Sequence, residues 1–279
     1  MREGTTAEGW MKIEAGGIRT NYELTGKGAA LVLIHGFTDN LGMWFNQVPV
    51  FSERFELLTY DVRGHGETEM EEERFSMEIF ADDLRALLEA LGIGKTCVLG
   101  YSMGGRIALR FALDHPEMTT GLVFANSGVT GSDVQPTPEQ LAALVERRKQ
   151  MVELFETGDI EAIADGMAER SFSPGLRDED PAMFQRYKAI KLRNDPRHYL
   201  AIMEAMVEAV THPPDLTQLE CPALIIAGER DGFMSLDEAR SMEGAIRDAT
   251  VTVLPTGHAA AIEAPRAFNQ AVLDFMERL

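Results

Sequence analysis

Cysteine is scarce, positive charge is outnumbered, and no long hydrophobic run interrupts the chain. The two cysteines, Cys97 and Cys221, cannot build a disulfide framework, and Cys97 falls in an apolar strand-like run where a small buried thiol is expected. Lysine and arginine number 26 against 45 aspartates and glutamates, a formal charge of −19 over 279 residues. That excess repels nucleic-acid phosphates and anionic headgroups, so neither nucleic acid nor membrane is an expected partner. The longest unbroken apolar run, Ala29 to Ile34, has six residues, whereas a membrane-spanning helix needs about 20. Met1 to Trp10 carries neither a basic start nor an apolar stretch, so no secretory signal is read there and a cytoplasmic location is expected. The histidines and cysteines lack ligand spacing, and Gly26-Lys27-Gly28 lacks the rest of a phosphate loop; no metal and no cofactor are expected.

What is present suits a globular chain with a sizeable core: 45% hydrophobic and 25% charged residues. Length alone allows two domains of about 150 residues or one α/β domain with an insertion. The first half alternates short apolar runs with helical periodicity, the pattern of parallel strands covered by helices. Met11–Glu14 and Ile18–Leu24 read as an antiparallel pair turning at Gly16-Gly17. Strands are then predicted at Ala29–Ile34, Leu57–Asp61, Thr96–Leu99 and Leu122–Phe124. Phe80, Leu84, Leu87, Leu88 and Leu91 form one apolar helix face that stops near Gly92.

From about residue 127 to 214 the strand pattern gives way to helix starts: Thr137-Pro138, Asp159, Asp180-Pro181 and Asp195-Pro196, each a capping side chain, three of them with proline at the first helical position. Strands return at Ala223–Ala227 and Thr250–Leu254, with a helix begun by the capping box Ser235 to Glu238 between them, and Pro265 opens a last helix. The expected organisation is a core of residues 1–126 and 215–279 interrupted by a helical cap at 127–214.

Gly100-Tyr101-Ser102-Met103-Gly104 sits between a predicted strand and a predicted helix, the context of a nucleophile elbow. The turn is tight enough that flanking Cβ atoms would collide, so glycines let Ser102 present its hydroxyl above the sheet edge, at a helix N-terminus that favours negative charge. A serine needs a base and an orienting acid, in the chain order Ser, Asp, His. His258 follows the last strand and Asp231 the one before it, placing both at the carboxyl edge of the sheet. Glu229 is the competing acid; the position after Phe124 offers Asn126 and no carboxylate. His35-Gly36-Phe37, after the strand ending at Ile34, would set the Phe37 backbone N–H beside that of Met103 to hold an oxyanion. His35, Asp61, Arg63 and His65 read as turn-fixing residues.

Together, His35 to Phe37, Asp61 to Gly66, Gly100 to Gly105, Gly228 to Asp231 and Gly257-His258 resemble the α/β-hydrolase superfamily with a helical cap. The resemblance implies an eight-stranded, mostly parallel sheet flanked by helices, with the lid inserted after the sixth strand. Serine at 102 departs from the haloalkane dehalogenase and epoxide hydrolase branches, whose nucleophile is aspartate. The expectation is a serine hydrolase acting on small-molecule carboxylic esters of small to medium acyl chains through an acyl-enzyme. Tyr101 to Arg106 with His35 to Thr38 also resembles a menaquinone-pathway synthase that eliminates pyruvate from a cyclohexene dicarboxylate, in which Arg106 would grip a carboxylate; a helix-surface arginine paired with an acid is the other reading. Enol-lactone and carbon-carbon bond hydrolysis, perhydrolysis and a non-enzymatic receptor stay open. In the cap, Phe155 and Tyr187 are candidate substrate contacts, beside Met151, Met167, Met203 and Met206 as adaptable filler.

Overall fold

The computed structural model of the protein describes residues 9–71, 73–128, 146 and 149–279. Eight strands form one sheet: β1 (Met11–Ala15), β2 (Ile18–Thr25), β3 (Ala29–Ile34), β4 (Phe55–Tyr60), β5 (Thr96–Tyr101), β6 (Thr119–Ala125), β7 (Ala223–Gly228) and β8 (Ala249–Leu254). Their spatial order is β1-β2-β4-β3-β5-β6-β7-β8. β2 runs antiparallel to both neighbours, and the pairs from β4 to β8 are parallel. The sequence places all eight strands; the structure extends several by one to four residues, most at β6, whose start at Thr119-Thr120 carries no apolar signal, and it ends β4 at Tyr60, one residue before Asp61.

Helices of ten or more residues among the described residues are α1 (Met77–Leu91), α2 (Met103–Asp114), α3 (Ile160–Ser171), α4 (Pro181–Lys191), α5 (Tyr199–Thr211), α6 (Leu236–Ala245) and α7 (Pro265–Met276). No helix among them is long and apolar enough to cross a membrane. α1 starts where the Ser76 hydroxyl accepts from the Ile79 N–H and ends at Gly92 in the left-handed region.

Inner strands such as β3 and β7 are apolar on both faces because helices cover both. In β3, Val32 and Ile34 join the core under α1, α2 and α6, while Leu31 and Leu33 face Trp44, Phe51, Phe268 and Val272 on the other side. All four are fully buried, and at about 25 cal/mol per Å² such burial is the main force holding the layers together.

Between β6 and β7 the described residues hold no named strand; a helix at 149–156 is followed by α3, α4 and α5. The Asp159 carboxylate caps α3, and that of Asp180 caps α4. At Asp195-Pro196 the cap opens only a short 3-10 turn, and α5 begins after it without a side-chain cap. The expected Thr137-Pro138 helix start lies outside the described residues.

Candidate active site

Ser102 stands between β5 and α2 with φ 52° and ψ −116°. A non-glycine residue there is strained, and its neighbours hold it. The Ser102 N–H donates to Ala125 O (3.0 Å), Gly105 N–H donates to Ser102 O (3.0 Å) and the Ser127 hydroxyl donates to Ser102 O (2.7 Å). The elbow closes so tightly that a Cβ on Gly100 would lie 2.1 Å from Gly104 O, and one on Gly104 2.4 Å from Ile34 O. Both clashes are with backbone, so no side-chain adjustment relieves them.

β7 and β8 end beside this elbow. His258 Nε2 is 2.9 Å from Ser102 Oγ, and His258 Nδ1 lies 2.9 Å and 3.0 Å from the two Asp231 carboxylate oxygens. Facing a carboxylate, Nδ1 carries the proton, which leaves Nε2 as an acceptor toward the hydroxyl. The Asp231 side chain is fully buried and accepts three further bonds: from Phe233 N–H (2.8 Å), Met234 N–H (3.2 Å) and Asn126 Nδ2 (3.0 Å). Burial pushes its carboxyl up, but the His258 charge, the bond to that ring and the bonds from Phe233 and Asn126 outweigh it and hold the pKa below the ordinary carboxylate value. Glu229 is exposed and its own N–H is tied to Leu254 O. The imidazole packs between the Phe233 and Tyr101 rings, with centroids at 4.6 Å and 5.1 Å.

Phe37 and Met103 both lie at this edge, and among the described residues neither backbone N–H has an acceptor within the protein. His35 is buried; its Nε2 accepts from Val62 N–H (2.9 Å), and burial holds its pKa well below the ordinary imidazole value. Asp61 accepts from Leu41 N–H, Glu67 N–H and Asn21 Nδ2 at 2.7 to 2.8 Å. Arg63 forks onto Asp83 with two 2.7 Å bonds, and His65 Nε2 accepts from Thr38 N–H at 3.3 Å. These contacts hold the neighbouring turns, with Arg63 tied to α1 through Asp83, and none of them is to Ser102.

Ser102 and His258 open into a cavity of about 340 Å³ whose outer wall is apolar: Met151 from the helix at 149–156, Met167 from α3, and Met203, Met206, Val207 and Val210 from α5. Arg106, one helical turn beyond Ser102, also lines it. Burial pushes the Arg106 pKa down, and the nearby Glu238 charge opposes the shift. The two candidate aromatic contacts sit elsewhere. Phe155 packs edge-on against Phe37 and Tyr199 (5.5 Å each) behind the wall, and Tyr187 is fully buried with its hydroxyl donating to Asp39 Oδ2 (2.9 Å). Neither lines the cavity, because helical periodicity marks an apolar face without saying whether it meets core or cavity.

Sequence reasoning also passed over several residues of this edge. Asn126 enters the sequence reading only as a position without a carboxylate, although its place after a strand on the same edge is a usable signal. Asp39 and Lys191 meet across 152 positions, at 2.7 Å, and no local pattern announces that pair. No group of three or more potential metal ligands is found among the described residues.

Residues 29–265 match the family described as alpha/beta hydrolase fold. The 3-oxoadipate enol-lactonase 2 of Acinetobacter baylyi is 28% identical over 263 residues, covering 94% of each chain. The 2-hydroxy-6-oxo-6-phenylhexa-2,4-dienoate hydrolase of Burkholderia cepacia is 26% identical, over 90% of this chain and 88% of its own. Among solved structures, a thermophilic esterase from Thermogutta terrifontis, with malate bound, superposes with a TM-score of 0.83 at 27% identity, over 96% of this chain and 98% of its own. With the eight-stranded sheet, the strained serine elbow and a family match across most of the sequence, the chain belongs to the α/β-hydrolase family.

Proposed function

We propose that the protein is a carboxylic ester hydrolase acting through an acyl-enzyme on Ser102. The observation that carries this reading is the continuous hydrogen-bonded line from Ser102 Oγ through His258 to Asp231, with both contacts at 2.9 Å. His258 Nε2 takes the hydroxyl proton as Oγ attacks the ester carbonyl carbon, and Asp231 steadies the imidazolium that results. The oxyanion accepts from the Phe37 and Met103 N–H groups, each worth on the order of 10²- to 10³-fold in rate. His258 then gives its proton to the departing alcohol, and a water activated by the same nitrogen releases the acid. Residues 127–214 act as a lid, with the methionines of the outer wall adapting to the acyl chain. A cavity of about 340 Å³ lies at the low end of the 300–1,000 Å³ typical of small-molecule sites, which favours short and medium chains.

A p-nitrophenyl ester series of increasing chain length tests this. Wild type is expected to turn over the short and medium members, and Ser102→Ala to lose roughly 10⁶-fold in kcat while staying folded. Retained turnover in that variant refutes the mechanism.

One observation favours a second reading of the substrate: Arg106 lines the cavity, where an arginine suits a carboxylate on the substrate. The names of the enol-lactonase and dienoate hydrolase relatives point to carboxylate compounds. Arg106→Met is then expected to lower kcat/KM for a hemi-ester of a dicarboxylic acid by about 10- to 100-fold, the range of a charge-assisted hydrogen bond, and to leave neutral esters within about threefold. Equal effects on both esters exclude the carboxylate contact. Including the cyclohexene dicarboxylate in the panel separates the lyase, which releases pyruvate, from the hydrolase, which does not.

A further inference from the structure

The loop that carries the Phe37 N–H is held from the far side by the inserted helices. Thr38, the next residue, has φ 65°, a left-handed conformation unusual for a β-branched side chain. Three contacts fix it: its N–H donates to His65, its carbonyl accepts from Asn194 Nδ2 at 2.8 Å, and its hydroxyl accepts from Lys191 Nζ at 3.2 Å. Asp39 completes the turn, its N–H donating to Gly36 O at 3.1 Å. Its carboxylate takes Lys191 Nζ on one oxygen at 2.7 Å and the Tyr187 hydroxyl on the other at 2.9 Å. The ammonium also lies 4.3 Å from the centre of the Tyr187 ring. Thr38, Asp39, Tyr187 and Lys191 are each at most 1% exposed. A buried ion pair adds little net stability over an apolar substitute, yet removing one member strands a charge, so such a pair serves best to fix geometry.

We propose that Lys191 and Tyr187 are positioning residues, which clamp Thr38 and Asp39 and so aim the Phe37 N–H at the site where the oxyanion forms. The inserted segment would then complete the reaction centre as well as wall the cavity. This rests on the reading of Ser102 as nucleophile and of the Phe37 N–H as oxyanion donor. Loss of the clamp releases the left-handed turn, and the donor swings away from the developing charge while the apolar wall that binds the ground-state ester stays in place. The expected signature is a fall in kcat with KM nearly constant.

The test uses the full chain with p-nitrophenyl butyrate and a neutral alkyl boronic acid, which adds to the serine oxygen as a tetrahedral anion. Lys191→Met is expected to lower kcat by about 10- to 100-fold, part of the cost of losing an oxyanion donor outright. Tyr187→Phe, which removes one hydroxyl, is expected to lower it by about tenfold. KM should stay within about threefold in both, and boronic acid affinity should weaken in proportion to kcat. Adding Asp39→Asn to Lys191→Met removes the stranded charge but restores no clamp from Lys191, so kcat should stay at least about tenfold below wild type. A raised KM with unchanged kcat, boronic acid affinity equal to wild type, or full recovery in the double variant overturns the proposal. Thermal midpoints check folding, and where Lys191→Met does not fold, Tyr187→Phe decides on the same readouts. Hydrolysis that survives Ser102→Ala defeats the underlying mechanism instead, whatever the clamp variants do.

Discussion

Replacing Asp231 with asparagine exchanges one oxygen for an NH₂ at a position whose partners leave little freedom. Phe233 and Met234 would not move, since their N–H groups belong to the turn after β7, and both donate to Oδ1 at 2.8 Å and 3.2 Å. The amide oxygen must therefore stay on that side, and the NH₂ takes the place of Oδ2. There it meets Asn126 Nδ2, itself a donor, 3.0 Å away, and His258 Nδ1 at 2.9 Å. Oδ1 also lies 3.0 Å from Nδ1, but a protonated Nδ1 would face the NH₂ at 2.9 Å, donor against donor; the imidazole accepts from that NH₂ only by giving up its Nδ1 proton, which puts the proton on Nε2, facing Ser102 Oγ. In that tautomer it no longer serves as a base. The same swap in a serine protease triad costs about 10⁴-fold in kcat, or about 5 kcal/mol at 1.36 kcal/mol per decade, and a similar loss is expected here. The assay is p-nitrophenyl ester hydrolysis normalised to folded protein, with Glu229→Gln as a control expected within about twofold of wild type. A loss below tenfold in Asp231→Asn, or a large loss in the control, refutes the assignment of the acid.

Two further outcomes concern the frame around the site. Gly104→Ala is expected to cost at least about 3 kcal/mol in urea unfolding, the upper range for overpacking, because its Cβ would stand 2.4 Å from Ile34 O and 2.7 Å from His35 O. Gly244→Ala, in α6 with nothing within 4 Å, should instead stabilise by about 0.5–1 kcal/mol. Equal effects at the two sites would refute the steric account of the elbow. His65 carries a pH signature: burial lowers its pKa to about 4, against about 6.5 when unfolded. The unfolded chain therefore takes up the proton first as pH falls, so this stabilisation is present above 6.5 and is lost by pH 4, up to ~3 kcal/mol at 1.36 kcal/mol per pH unit. Asp61, raised by burial to about 6, works in the opposite sense, so the comparison is with His65→Gln, whose stability should fall less than that of wild type between pH 7 and 4.5. Identical pH slopes in urea titrations exclude the effect.

The parts of the fold and site that were legible in the sequence are those set by short-range pattern. Apolar runs such as Ala29–Ile34 and Ala223–Ala227 announce buried strands because both sheet faces are covered, and Asp159 and Asp180 announce helix starts because a cap acts within three residues. Ser102, Asp231 and His258 could be picked out because each follows a strand end, so topology alone brings them to one edge. Tyr187 and Phe155 lie outside the cavity lining for a physical reason. An aromatic ring on a helix face satisfies the same periodicity whether it closes a core or lines a cavity, and here their neighbours, Asp39 for one and Phe37 with Tyr199 for the other, come from distant parts of the chain. Arg106 posed the reverse problem: one turn past the elbow, its side of the helix could be surface or cavity, and the decision rests with residues of α3 and α5 that form the opposite wall.

The left-handed residues show the same division more sharply. Among the described residues, the non-glycine positions with positive φ are Thr38, Ser102 and Asn126, one after each of the adjacent strands β3, β5 and β6. Each costs roughly 1–3 kcal/mol, and glycine would remove most of that cost. Each also holds a side chain that glycine would delete: the Thr38 hydroxyl accepts from Lys191, the Ser102 hydroxyl meets His258, and the Asn126 amide donates to Asp231. A sequence reader finds glycine where strain is relieved and finds nothing where it is retained for a side chain, so only Ser102, framed by its own glycines, stood out. Among the described residues this strain lies at the carboxyl edge, where the parallel strands end and the packed layers no longer dictate the backbone, and the side chains it retains are hydrogen-bonded to His258, Asp231 and Lys191.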